Sequence, residues 1–77
     1  MTTLTAIIAE ALRLDETKVT DDLAIHTVAT WNSLTHIELV IMIEEQLQIQ
    51  LTEDEIVAMR SVRDIRTVLG QRGVSVT

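Results

Sequence analysis

The sequence contains no cysteine. That absence excludes a disulfide framework, a cysteine thiolate as nucleophile and a zinc site of the cysteine type. Proline is also absent, and only two of the 77 residues are glycine. Because hydrophobic residues still make up 47% of the chain, the composition favours an all-α bundle over a disordered or turn-rich β protein. We expect one small domain over residues 1–77, with 71–77 as a flexible tail.

A long hydrophobic run and the basic start of a secretory signal are lacking as well. The longest uninterrupted apolar run in the centre of the chain extends only from Leu39 to Ile43, and an acidic residue, Glu10, already lies among the first ten positions. The run is too short for a membrane span, and the N-terminal stretch is unlike a signal peptide. We therefore expect a cytoplasmic protein without a membrane partner.

Basic residues are missing from the whole middle of the chain. Between Val19 and Met59 there are eight carboxylates and no lysine or arginine, so this stretch carries a net charge of −8, whereas the whole chain carries −6. A field of that sign repels phosphate backbones. It argues against nucleic acid as a partner and predicts partners with basic docking patches.

Apolar spacing predicts two helices in the first half of the chain, joined by a long loop. Thr2 or Thr3 can cap a helix over 4–14, in which apolar residues recur at helical intervals. A connection over 15–32 follows, and loops of that length are often functional. The second helix opens with a cap at Asn32 or Ser33 and continues as a strongly apolar segment.

Two further helices are predicted in the second half. Thr52 and Glu55 form a capping-box pattern before a short third helix. A fourth helix begins at Ser61, and Gly70 is expected to end it. The fold class is therefore a small four-helix bundle whose third helix is short. On the fourth helix, Arg63 and Arg66 are expected on a solvated outer face.

The second helix has more apolar residues than one buried face requires. One stripe at helical spacing suits a core and consists of Leu39, Val40, Ile43 and Leu47. A second line of aliphatic residues and carboxylates follows another side and consists of Leu34, Ile37, Glu38, Ile41 and Glu45. This second line predicts a docking surface. The alternative is a central helix that other elements cover on all sides.

The start of the predicted second helix reads Asn32-Ser33-Leu34. This tripeptide resembles the signature Asp-Ser-Leu at the start of the second helix in the acyl carrier protein family, and three further segments support the resemblance. The following IELVIMIEEQLQIQLTEDEI resembles the family's second helix and its approach to an acidic third helix, LRLDETKVTDDL resembles its first loop, and RSVRDIRTVL its fourth helix. The resemblance thus covers nearly the whole chain.

The resemblance implies a function for Ser33. A phosphopantetheinyl transferase would take 4′-phosphopantetheine from coenzyme A, with magnesium, and attach it covalently to this serine. The arm would hold an acyl or aminoacyl group as a thioester, while the protein itself would not be an enzyme. Acyl- or aminoacyl-loading and processing enzymes would dock on the second helix, at positions that carry over as Asn32, Leu34, Ile37, Glu38, Ile41 and Glu45. We expect the carrier to be a monomer.

Two features depart from the usual family pattern. Asn32 replaces the aspartate, which raises the question of how efficiently the arm is attached. The sequence WNSLTH, with Trp31 and His36, resembles the corresponding sequence of stand-alone carriers in specialised pathways more than that of the carrier of fatty-acid synthesis.

Two other interpretations of the same residues remain open. Ser33 and His36 are three positions apart on one helical face, so a hydrolase with a serine nucleophile and a histidine base is conceivable, although no third group is evident to orient the histidine. Alternatively, Ser33 only caps the helix, and the protein is a helical interaction module that carries nothing. His26 has no metal-ligand partner at a recognisable spacing, so no metal site is predicted.

Overall fold

The computed structural model describes residues 3–74, and over this range the fold is all-α. The helices are α1 (Leu4–Leu12), α2 (Ser33–Leu47), α3 (Glu53–Ala58) and α4 (Val62–Gln71), with one turn of 3₁₀ helix at Glu16–Lys18. The predicted small four-helix bundle with a short third helix is confirmed. None of the helices within residues 3–74 is long and apolar enough to cross a membrane.

Helix α1 starts where the sequence predicts but ends earlier. The Thr3 side chain accepts a hydrogen bond from the Ala6 N–H at 3.1 Å, as expected of a cap. The predicted end at residue 14 is wrong by two positions, because Arg13 adopts the left-handed conformation with φ of 56°. The Leu14 N–H then bonds back to the Ala9 carbonyl at 2.9 Å, which closes the helix as a Schellman-type turn.

The core lies between α1, α2 and α4. Helix α1 packs against α2, and α3 packs against α4. Residue Trp31, which directly precedes the cap of α2, is completely buried in this core. Leu39, Val40 and Ile43 are the buried residues of α2, and each such aliphatic side chain contributes roughly 1.5–3 kcal/mol when it leaves water. The predicted core stripe of α2 is therefore confirmed, with Leu47 half-buried at its end.

The long loop between α1 and α2 is tied to the start of α4. Ala24 and Ser61 form an antiparallel β-bridge, and the Val62 N–H donates to the Leu23 carbonyl at 2.9 Å. Near its beginning, the backbone N–H and hydroxyl of Thr17 both donate to Asp15, which lowers the pKa of that carboxyl. The loop thus has a fixed path along the bundle despite its length.

Two arginines of the C-terminal region are less solvated than the sequence suggests. Arg66 is predicted on a solvated outer face, but it is half-buried and its Nε lies 3.1 Å from the Asp21 carboxylate. Arg72 pairs with Glu55 at 2.8 Å, and this bond is the main cause of the lowered pKa of Glu55, followed by the bond from the Thr52 N–H. Both arginines tie α4 or its end to distant parts of the chain.

Helix α4 does not stop at Gly70 as predicted but continues to Gln71. After it, the Val74 N–H donates to the Leu69 carbonyl at 3.0 Å, and the Val74 side chain is half-buried against the core. These contacts involve the first part of the predicted tail. Its remainder, 75–77, lies outside the described residues, so the flexibility of the tail stays a prediction.

Candidate functional site

The start of α2 is closed by a complete capping box. Asn32, not Ser33, is the cap: its Oδ1 accepts from the N–H groups of Leu34 at 3.0 Å and Thr35 at 3.2 Å. The Thr35 hydroxyl returns the interaction by accepting from the Asn32 N–H at 2.9 Å, and it donates to the Thr30 carbonyl at 2.6 Å. The turn before the helix is therefore held in place without any contribution from Ser33.

Ser33 is left free by this arrangement. It is the first residue of α2 and is exposed. Within residues 3–74, neither its hydroxyl nor its backbone N–H has a hydrogen-bond partner. The interpretation of Ser33 as a mere helix cap is therefore wrong, since Asn32 performs that role.

An open cavity of about 280 Å³ lies next to Ser33. It is bounded by the end of the long loop, one side of α2, helix α3 and the segment that leads into α4. The apolar part of its wall consists of Ile25, Ile37, Ile56, Val57 and Met59. The polar part consists of His26, Ser33, His36 and Arg60. A serine at the mouth of a mostly apolar cavity can carry a group that lies partly inside it.

His36 is fully engaged within the fold. Its Nδ1 lies 3.1 Å from the indole nitrogen of Trp31, and its Nε2 lies 3.0 Å from the Ile56 carbonyl oxygen. The indole nitrogen can only donate and the carbonyl can only accept, so Nδ1 is the acceptor and Nε2 carries the proton. Neither nitrogen is left to take a proton from Ser33, which removes the basis of the hydrolase interpretation.

The second line of residues on α2 is exposed, as the sequence predicts. Leu34, Ile37 and Ile41 are 68%, 57% and 48% exposed, and Glu38 and Glu45 are exposed beside them. The alternative of a helix covered on all sides is therefore wrong. Helix α3 adds Val57, also 68% exposed, which borders the same cavity as Ile37. We call these residues the apolar face: Leu34, Ile37, Ile41 and Val57.

Glu44 differs from its neighbour Glu45. Its side chain turns toward the connection after α2, where Oε2 accepts from the Leu51 N–H at 2.8 Å. One carboxylate of the adjacent pair thus stabilises the fold, and the other remains in solvent beside the apolar face.

Sequence reasoning missed three parts of the site. The cavity depends on contacts between distant segments, so no local pattern predicts it. In the sequence, His26 has no metal-ligand partner at a recognisable spacing, and Arg60 is only the first residue of the segment that resembles the family's fourth helix. A detectable signal for Arg60 was its place directly after Met59, where it ends the long stretch without basic residues.

The chemistry of this site fits a phosphopantetheine arm. The free Ser33 hydroxyl offers the oxygen for a phosphodiester bond. The unpaired N–H of Ser33, at the N-terminus of a fifteen-residue helix, suits the negative charge of a phosphate. The neighbouring cavity offers room for an organic chain. These features define a class of small helical carrier proteins.

Comparison with protein families agrees with this class. Residues 2–69 match the family described as phosphopantetheine attachment site. Because the match covers most of the chain, the protein belongs to this family. A comparison with curated proteins finds none that matches significantly.

Membership establishes the general role of the protein. It is a carrier to which 4′-phosphopantetheine is covalently attached, and carrier domains of this family are not themselves catalytic. A carrier of this kind interacts with a phosphopantetheinyl transferase and with the enzymes of a pathway. The resemblance inferred from the sequence is thereby confirmed.

Proposed function

We propose that Ser33 carries the arm and that the protein presents an acyl or aminoacyl group to pathway enzymes as a thioester. The observation that carries this proposal is the free hydroxyl of Ser33 at the mouth of the cavity, next to a cap that Asn32 and Thr35 complete without it. The terminal thiol of the bound arm supplies the thioester chemistry, for which this cysteine-free chain has no group of its own.

The residues around Ser33 prepare it for modification in two ways. Asn32 and Thr35 fix the backbone, so the hydroxyl is presented from a rigid helix start and not from a mobile loop. Its exposure leaves it accessible to the active site of a transferase. His36 stays bonded to Trp31 and Ile56, so we assign the deprotonation of the Ser33 hydroxyl to the transferase.

The apolar face and its carboxylates form the proposed docking surface. An interface of this kind needs an apolar centre and a polar rim. Leu34, Ile37 and Ile41 supply the centre on α2, while Glu38 and Glu45 supply the rim. Asn32, at the edge of this surface, would lie against any enzyme that reaches Ser33. The carboxylates would select partners with basic patches, consistent with the charge of −8 in this stretch.

The direct test is modification by a promiscuous phosphopantetheinyl transferase with coenzyme A and magnesium. We expect intact-mass spectrometry to show one added arm on the wild type and none on Ser33→Ala. Ser61→Ala is a matched control, because Ser61 caps α4 and does not line the cavity. It should still gain one arm, and fragmentation should place the arm on Ser33.

The cargo is accessible to the same method. Intact mass of the protein isolated from its own source cells should show the arm plus a further mass that identifies an acyl or an aminoacyl group.

Two outcomes of the transferase assay would contradict the proposal. Should the wild type stay unmodified while a control carrier is converted, Ser33 is not an attachment site. An arm on Ser33→Ala would assign the attachment to a different residue.

A further inference from the structure

The cavity beside Ser33 has very few groups that can bind an anion. Of its four polar lining residues, His36 already uses both ring nitrogens within the fold. Besides Ser33 itself, that leaves the imidazole of His26 and the guanidinium of Arg60. No carboxylate is among the lining residues within the part of the chain that the structure describes.

Both residues belong to segments whose backbone is held by hydrogen bonds. The Ile25 N–H donates to the Arg60 carbonyl at 2.9 Å, directly beside the bridge between Ala24 and Ser61. His26 is held by its own N–H, which donates to the Trp31 carbonyl at 2.8 Å. It adopts a left-handed backbone with φ of 67°, which is uncommon for a residue other than glycine. The side chains therefore project from paired segments and not from a free loop.

The fold uses the backbone of Arg60 but not its side chain. The ion pairs among residues 3–74 join Arg66 to Asp21 and Arg72 to Glu55. The Arg60 side chain has neither an ion pair nor a hydrogen bond within that range, and it is exposed. In a protein with a net charge of −6, an arginine without a carboxylate partner beside the modified serine is available for an anion from outside the chain.

We propose that Arg60 and His26 bind the phosphate of the arm that Ser33 carries. This inference rests on the proposed function, because the phosphate is bonded directly to the serine oxygen and must lie next to the cavity that Ser33 lines. A guanidinium binds a phosphate with two parallel, charge-assisted hydrogen bonds. The imidazole of His26 can donate a hydrogen bond through a ring N–H in either of its protonation states.

The consequence of this binding is orientation of the arm. The N-terminus of α2 and the pair of Arg60 and His26 approach the cavity from different segments, so a phosphate between them is held at the cavity and not freely rotating in solvent. The positive charge of this pair also offsets the field of the acidic residues on α2 and α3, which repels a phosphate.

Phosphorus NMR of the arm-bearing protein tests the proposal. The single ³¹P signal should be broader than that of a short serine peptide carrying the same arm, and it should differ in chemical shift. In Arg60→Gln it should move most of the way toward the peptide signal and become narrower. His26→Asn should have a smaller effect in the same direction. Asparagine is chosen for this variant because it tolerates the left-handed backbone at this position. Arg63→Gln is the matched control and should leave the signal unchanged, since Arg63 is exposed and does not line the cavity.

A second measurement needs no variant. In ¹⁵N spectra of the wild type, the side-chain Nε–H signal of Arg60 should shift when the arm is attached, and that of Arg63 should not. Unchanged signals of both the phosphate and Arg60, on protein in which mass spectrometry shows the arm on Ser33, would overturn the proposal alone. A shift of Arg60 only when the arm carries an acidic cargo would assign Arg60 to that cargo and also overturn it. If no arm is found on Ser33, the proposed function fails and this inference with it.

Discussion

The indole N–H of Trp31 donates to Nδ1 of His36 at 3.1 Å, and the planes of the two rings lie within 25° of each other with their centroids 6.1 Å apart. Nε2 of His36 in turn donates to the Ile56 carbonyl, so one chain of hydrogen bonds joins the end of the long loop, α2 and α3. Helix α3 has only six residues, none of them fully buried. The chain of bonds therefore connects the wall that α3 contributes to the cavity with α2 and the end of the loop.

This relationship predicts an energetic coupling between Trp31 and His36. Trp31→Phe leaves Nδ1 of His36 without its donor, and His36→Leu leaves the buried indole N–H without its acceptor. Each change should destabilise the protein by about 1–3 kcal/mol, the usual cost of an unsatisfied buried partner. The double variant should lose less than the sum, with a coupling of about 1 kcal/mol. Urea unfolding followed by far-UV circular dichroism measures all four proteins, and strictly additive losses would show that the bond contributes nothing.

The predictable part of this fold is the part that local periodicity determines. On α2 the prediction separates the buried residues from the exposed ones correctly, because residues three and four positions apart lie on the same face of a helix. The buried ones are Leu39, Val40 and Ile43, and the exposed ones include Leu34 and Ile37. The caps at Thr3, Thr52 and Ser61 are equally predictable. Each of them satisfies N–H groups only three positions away.

The features that sequence reasoning missed depend on distant partners. Trp31 is buried at the end of the long loop, which returns along the bundle and pairs with the start of α4. Arg66 meets Asp21 across 45 residues, and Arg72 meets Glu55 across 17. The cavity and its pair of His26 and Arg60 arise from the same long-range pairing. No pattern within a single segment encodes them.

The carboxylates beside the apolar face should affect the rate of docking. Reversing both charges, Glu38→Lys with Glu45→Lys, should slow association with a phosphopantetheinyl transferase by roughly tenfold at low ionic strength. The effect should shrink with added salt, because these side chains are exposed. Rates of arm attachment under subsaturating carrier, measured over a salt series, give this comparison.

A matched variant separates local from global charge. Glu10→Lys also reverses an exposed carboxylate, but on α1, and should change the rate much less. A loss that is independent of salt, or a loss of helical signal, would instead assign Glu38 and Glu45 to the fold.

The pair of Glu55 and Arg72 predicts a pH-dependent part of the stability. The pKa of Glu55 is lowered in the folded protein, chiefly by its hydrogen bond with Arg72. The stabilisation is therefore present above the ordinary pKa of a glutamate and is lost as the pH falls through the lowered value. Glu55→Gln removes the charge but keeps an acceptor for the capping box. It should unfold at a lower temperature than the wild type at neutral pH, and the difference should vanish in acid.

Two further variants check that the effect belongs to this pair. In a protein that already carries Arg72→Gln, adding Glu55→Gln should lower the unfolding temperature at neutral pH much less than in the wild type, because only the bonds with Thr52 then still lower the pKa of Glu55. Glu53→Gln removes a carboxylate from the same first turn of α3, but Glu53 makes no ion pair among residues 3–74. A pH profile of Glu53→Gln that matches that of Glu55→Gln would attribute the effect to the helix start and not to Arg72.

The last prediction concerns Asn32, where the chain departs from the Asp-Ser-Leu pattern. Its Oδ1 accepts from the N–H groups of Leu34 and Thr35, and its amide nitrogen makes no bond within residues 3–74. Asn32→Asp can therefore keep every bond of the cap while adding a negative charge at the start of α2. That charge should stabilise the protein by about 0.3–1 kcal/mol through the helix dipole.

The same charge places an anion next to the serine that a transferase must recognise. We expect a generic transferase to modify Asn32→Asp faster than the wild type, in paired initial-rate assays with coenzyme A held in excess. Asn32→Ser is the control, because serine caps a helix about as well without a charge, and it should not gain rate. Equal rates for wild type and Asn32→Asp would show that the residue acts only as a cap. A slower Asn32→Asp would mean that the uncharged amide is itself recognised, and the departure from the family pattern would then be a determinant of partner choice.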